Sequence, residues 1–145
     1  MKLSFKAIIL GAIVDVVGTN IWGLIVGIYL VNSHHLMGLP PAEQTAQLKI
    51  LLTQGGMVQI LTQFFGGAFT IFGGYIAARI AKHDELLNGA CASFLCVLFA
   101  LFAIGSAPIS SVLIGVIANP VLGLAGGYIR VWEKQRTKEQ TPKTI

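Results

Sequence analysis

Asp15 is the residue best placed to do chemistry, because it is a carboxylate set inside the apolar run Ala7 to Val31. At 100° per residue it shares a stripe with Gly11, Gly18 and Trp22 and adjoins Thr19, so it should face protein rather than lipid. A carboxylate in mid-membrane costs about 2.5 to 3.5 kcal/mol on insertion scales, which makes an intramembrane acid a functional hypothesis by default. Three roles are open: a neutral carboxyl donating a hydrogen bond to a neighbouring helix, a proton or cation relay, or the partner of a basic residue on another subunit. No lysine or arginine lies at the same depth, which argues against an ion pair within the chain. Asn20 lies about 140° away around the helix and should not join the site.

Other polar residues could extend it. In a second apolar run, Gln59, Gln63, Gly66, Thr70, Gly73, Gly74 and Ala77 fall within about 60° of one line. That stripe of small and polar groups should be buried, since the amides need partners that hydrocarbon cannot supply. Two further runs repeat the pattern through Gly89, Ser93, Cys96, Ala100 and Ala103, and through Gly115, Asn119, Gly123 and Gly126. Asp15, Thr19, Gln59, Gln63, Thr70 and Asn119 form the candidate polar site, and Gly66, Gly73, Gly74, Gly123 and Gly126 the candidate packing set. Tight helix packing explains the stripes; a permeation groove would need more convergent polar groups. Asn119-Pro120 should bend its helix by removing a backbone donor.

Little else offers reactivity. Cys91 and Cys96 lie about 140° apart on one helix and cannot bridge each other. The adjacent His34-His35 pair would need further ligands to hold a metal. There is no HExxH or GxSxG, and Ser106, Ser110 and Ser111 lack an evident base, so neither a catalytic residue nor a cofactor is expected and the chain should not be an enzyme.

The elements that position these residues are four segments, Ala7 to Val31, Gly55 to Ala81, Leu86 to Ile104 and Ile109 to Val131. Each approaches or exceeds the ~20 residues that a helix needs to cross a bilayer. With 54% hydrophobic residues, 11% charged residues and a mean hydropathy of +0.76, the composition excludes an ordinary soluble domain. None of the segments alternates as a barrel strand would. Of ten lysines and arginines, nine lie at ends sharing one side: Lys2, Lys6, Arg79, Lys82, Arg130, Lys134, Arg136, Lys138 and Lys143. Only Lys49 lies opposite, so both termini should be cytoplasmic. The +4 charge follows from this insertion pattern and is no nucleic-acid footprint. Met1 to Val14 imitates a signal peptide, but Asp15 interrupts it and hydrophobicity resumes to Val31, which favours a retained helix. Between the first two crossings, Pro40-Pro41 should open a short interfacial helix over Ala42 to Leu52, ended by Gly55-Gly56. The expected fold is an all-α integral membrane four-helix bundle over residues 1–132, followed by a basic cytoplasmic tail, 133–145.

Gly66 to Lys82 and Asn119 to Lys134 align at an offset of 53 through a shared Gly-Gly-Tyr-Ile, which suggests a parallel repeat of helical hairpins or convergence on one interfacial pattern. The stretch GGYIAARIAKHDELLNGA, Gly73 to Ala90, resembles the hairpin of small four-helix bacterial membrane proteins of unknown function, typified by Gly-Gly-Tyr-x-Ala-Ala-Arg, a short polar turn and a Leu-x-x-Gly-Ala start. That likeness implies architecture and a multi-pass place in the bacterial inner membrane, and lends no activity. Two functions remain open: a non-catalytic membrane protein that associates with itself or another membrane protein, in contact with lipid, or a small transporter or ion-conducting oligomer using Asp15.

Overall fold

The computed structural model is all-helical and describes residues 2–54, 56–104 and 109–139. Its helices are α1 (Phe5–Ser33), α2 (Pro41–Thr53), α3 (Met57–Ala81), α4 (Glu85–Ile104) and α5 (Ile109–Glu139), with a 3-10 turn at Leu36–Gly38. The expected segments are thus helical, and the fourth runs beyond Val131 to Glu139. Of the expected turn from Gly105 to Ser110, residues 105–108 lie outside the described residues, as does the end of the tail from 140. Pro41 occupies the first turn of α2, where its fixed φ suits a helix start and no backbone donor is lost to the ladder. Gly56 separates α2 from α3 at φ 116°, a conformation open to residues without a Cβ. Pro120 sits inside α5, which continues on both sides of it.

Three helical stretches, Phe5–Ser33, Met57–Ala81 and Leu113–Thr137, are long and apolar enough to cross a membrane. In the most apolar part of each, only 28%, 22% and 17% of residues are buried within the chain. Ile21, Leu24 and Ile28 of α1, Ile60, Phe64 and Phe72 of α3 and Ile114 and Ile117 of α5 all face outward. Water-soluble chains rarely tolerate apolar surface on this scale, whereas acyl chains cover it without penalty.

The chain divides into two compact units, one formed by residues up to Val16 and from Gly67 onward, the other by Val17–Gly66. In the first, helices meet through their backbones. A Cβ on Gly11 would stand 2.6 Å from the Gly73 carbonyl oxygen and 3.1 Å from Ala92 Cβ, which fixes the contact of α1 with α3 and α4. A Cβ on Gly74 would stand 2.6 Å from the Gly123 carbonyl oxygen, so α3 and α5 touch there without intervening side chains. A Cβ on Gly89 of α4 would stand 2.6 Å from the same Gly123 oxygen, and one on Gly127 of α5 would stand 2.8 Å from the Glu85 oxygen.

The Gly-Gly-Tyr-Ile echo has a local reason in these contacts. Consecutive helical residues point about 100° apart, so a glycine pair opens one helix to two neighbours. Gly73 faces α1 and Gly74 faces α5, while Gly126 faces Ile71 and Tyr75 of α3 and Gly127 faces α4. Under a hairpin repeat, the equivalent of Gly73 would face α4, the partner in its own hairpin.

The second unit packs by larger side chains. Trp22 lies against Phe65 with ring centroids 4.0 Å apart, and Val26, Leu30 and Leu36 are buried. The α2 helix buries none of its residues.

Replacing Gly74 or Gly123 with alanine should lower stability by about 1 to 3 kcal/mol through overpacking, despite alanine's better helix propensity. Gly66→Ala should instead be neutral or stabilising by about 0.5 to 1 kcal/mol, because a Cβ there meets nothing within 4 Å. Thermal unfolding of the three variants in one detergent measures the contrast.

Candidate functional site

Asp15 lies one helical turn beyond the Gly11 contact and is 6% exposed. The glycine at position 73 makes this possible, since a Cβ there would stand 2.9 Å from Asp15 Cβ. Thr70 of α3, also buried, donates its hydroxyl to Asp15 Oδ1 at 3.3 Å. The Cys96 thiol of α4 lies against the same carboxyl and 3.6 Å from the Ala12 carbonyl oxygen. Three helices therefore each bring one polar group to a junction directly beside their closest backbone approach. A carboxyl held by a hydroxyl and a thiol can exchange hydrogen-bond partners or hold a proton.

The other candidate residues are placed differently. Asn119 is half-buried on α5. Thr19, Gln59 and Gln63 belong to the second unit, where Gln59 is half-buried but Thr19 and Gln63 are exposed. The expectation that the whole α3 stripe is buried thus holds for Thr70, Gly73, Gly74 and Ala77 and fails at Gln63. Gly73, Gly74, Gly123 and Gly126 all lie in backbone contacts, whereas a Cβ on Gly66 would meet nothing within 4 Å. Phase around a helix is the same along the stripe; what changes is whether a neighbour stands against it. His34 and His35 are exposed, and among the described residues no group of three or more His, Cys, Asp or Glu is placed to hold a metal ion.

A second polar cluster was not foreseen. Asn88, fully buried near the start of α4, accepts a hydrogen bond from Ser4 N at 2.8 Å and shares its amide hydrogens among the carbonyls of Lys2, His83 and Asp84. Lys2 N donates to Asp84 Oδ2 at 2.6 Å. These bonds clasp the residues before α1 to the α3–α4 turn, where Lys82 and Asp84 hold positive φ angles of 60° and 42°. Left-handed backbone costs about 1 to 2 kcal/mol per non-glycine residue, and the Asn88 bonds hold the turn in that form.

Beside the clasp, α5 is tied to its neighbours by charge. Lys134 Nζ meets Glu85 Oε1 at 2.7 Å. Glu133 accepts from Arg130 at 2.7 Å and from Tyr75 of α3 at 2.9 Å, and Arg79 donates to the Tyr75 hydroxyl. The Lys134 ammonium, by hydrogen bonding, holds the Glu85 carboxyl below its ordinary 4.5.

No family model, curated protein or solved structure matches this chain.

Asn88→Ala should destabilise the chain by about 2 to 4 kcal/mol, since it strands buried backbone groups of two segments. Limited proteolysis should then cut first near Lys2 to Ser4. Because Glu85 titrates below 4.5, its pairing contributes at higher pH and is lost as pH falls through the folded value. Melting curves followed from neutral pH to about pH 3 should therefore fall more steeply for the native chain than for Lys134→Gln.

Proposed function

We propose that this chain is a non-catalytic, multi-pass protein of the bacterial inner membrane, a compact four-helix unit with both termini in the cytoplasm, that associates with itself. Joining a larger membrane complex is the variant of the same reading in which the partner differs. Its orientation is supported by the basic residues at the α1 start, the α3–α4 turn and the α5 end, segments that hydrogen bonds gather at one end of the first unit. The Gly-Gly-Tyr-x-Ala-Ala-Arg resemblance points to the same architecture. The neighbour assignments of the two glycine pairs favour a shared packing task over a duplicated hairpin.

The carrying observation is an open glycine face on α1. Gly23 and Gly27 form a small-xxx-small pair, and a Cβ on either meets nothing within 4 Å. With Leu24, Ile28, Val31 and Met37 they line an apolar groove of ≈ 310 Å³. Such a face is self-complementary: two copies related by a two-fold axis place the same glycine floor against each other. The glycines at 73, 74, 123 and 126 cannot serve this purpose, because they are used within the chain.

Because their surroundings are open, Gly23→Ile and Gly27→Ile should leave the fold intact while weakening self-association in bilayers by about tenfold or more. Energy transfer between labelled copies in liposomes reads the association, and circular dichroism with melting reads the fold. A native chain that is strictly monomeric in mild detergent and in bilayers, and captures no partner by crosslinking, overturns the reading.

The buried Asp15 favours one second reading, a small transporter or ion-conducting oligomer in which this carboxyl responds to protons or cations. Liposome flux should then fall sharply in Asp15→Asn. Absence of flux in both chains across candidate ions removes this alternative.

A further inference from the structure

The polar end of the first unit carries more cations than it uses. Up to Thr137 it holds Lys2, Lys6, Arg79, Lys82, Arg130, Lys134 and Arg136 against the carboxylates Asp84, Glu85 and Glu133. Each carboxylate is engaged by the protein itself: Asp84 by the Lys2 backbone, Glu85 by Lys134, and Glu133 by Arg130 and Tyr75. Lys6, Arg79, Lys82 and Arg136 are exposed and, among the described residues, form no ion pair with a carboxylate. The Arg136 guanidinium stacks over Trp132, 3.9 Å from the ring centroid, and Trp132 is 46% exposed. An exposed indole beside a cation is the pairing found where acyl chains give way to headgroups.

We propose that this end binds anionic phospholipid headgroups selectively, with Arg79, Lys82 and Arg136 facing the phosphates and Trp132 lying at the boundary with the acyl chains. Charge complementarity selects the occupant. Ion pairs neutralise Glu85 and Glu133, Asp84 accepts from a backbone amide, and the exposed guanidinium and ammonium groups keep free donors. Arg136 is held in place by the ring beneath it, so it presents its outer face to a phosphate without losing further side-chain freedom. The proposal rests on the membrane reading above but not on self-association or on which leaflet the end occupies.

The test uses the two tryptophans, Trp22 and Trp132. A Trp22→Phe chain is reconstituted in equal mixtures of phosphatidylglycerol and phosphatidylcholine, with bromine placed near the headgroup end of the acyl chains of one lipid or the other. Brominated phosphatidylglycerol should quench Trp132 about twofold more than brominated phosphatidylcholine, and added salt or Arg79→Gln with Lys82→Gln should erase the difference. The remaining tryptophan of a Trp132→Phe chain should show no preference. The unmutated chain gives an independent reading, because added phosphatidylglycerol should raise its melting temperature in detergent more than phosphatidylcholine does. Equal quenching by both lipids together with equal melting shifts overturns the proposal, leaves the association reading standing, and assigns the cations to an acidic protein segment. Absence of quenching by either lipid overturns the proposal and the membrane reading together.

Discussion

The fold depends on helix backbones meeting where no side chain intervenes. In lipid, apolar side chains gain nothing by leaving one hydrocarbon environment for another, so helices hold together through close packing and polar contacts. The contacts run from α1 to α3 at Gly11 and Gly73, from α3 to α5 at Gly74 and Gly123, from α5 to α4 at Gly127 and Glu85, and back to α1 through Ala92. A helix with a neighbour on each of two sides needs clearance in two directions. Two glycines in succession provide it, because the second is rotated by about 100° from the first. The recurrence of Gly-Gly in α3 and α5 therefore follows from the number of neighbours each helix has.

Buried polar groups within this unit find partners inside the protein, as Ser93, Thr70 and Asn88 show. Ser93, buried in the α4 contact with α5, turns its hydroxyl to the Gly89 carbonyl of its own helix at 3.4 Å. Asp15 finds its partner on another helix, accepting from the Thr70 hydroxyl of α3. Asp15 follows Gly11 by one helical turn, beside the close approach of α1 to α3 at Gly11 and Gly73. At the polar end the requirement changes. There the turn adopts strained backbone angles, and the buried Asn88 amide binds it to the residues preceding α1.

The helices were legible in the sequence because hydropathy and length decide them, and α2 because Pro40-Pro41 marks its start. The phase of each small-residue stripe was legible as well. How far along each helix the stripe is used was not: Gln63 and Gly66 share the line of Thr70 and Gly73, yet Gln63 is exposed and a Cβ on Gly66 would meet nothing within 4 Å. Contact length is a property of pairs of helices, and one helix's pattern does not contain it. Cys96 was read as a packing residue, although Ala92 and Cys96 repeat the four-residue spacing of Gly11 and Asp15 and so meet them in order. Asn88 was missed because its decisive partners, Lys2 and Ser4, lie 86 and 84 residues away in the chain.

The glycines beside open space carry information of their own. Glycine in a helix interior costs about 0.8 to 1 kcal/mol relative to alanine. At Gly11, Gly73, Gly74, Gly89 and Gly123 that cost is offset by an approach that alanine would block. At Gly23, Gly27 and Gly66 there is no such approach, and alanine would fit. Gly23 and Gly27 stand one turn apart on the same face, above a groove bounded by Leu24, Ile28 and Val31. Two uncompensated glycines in register form the surface that a second helix backbone requires, and the contacts already present in this chain show what such a surface does when it is filled.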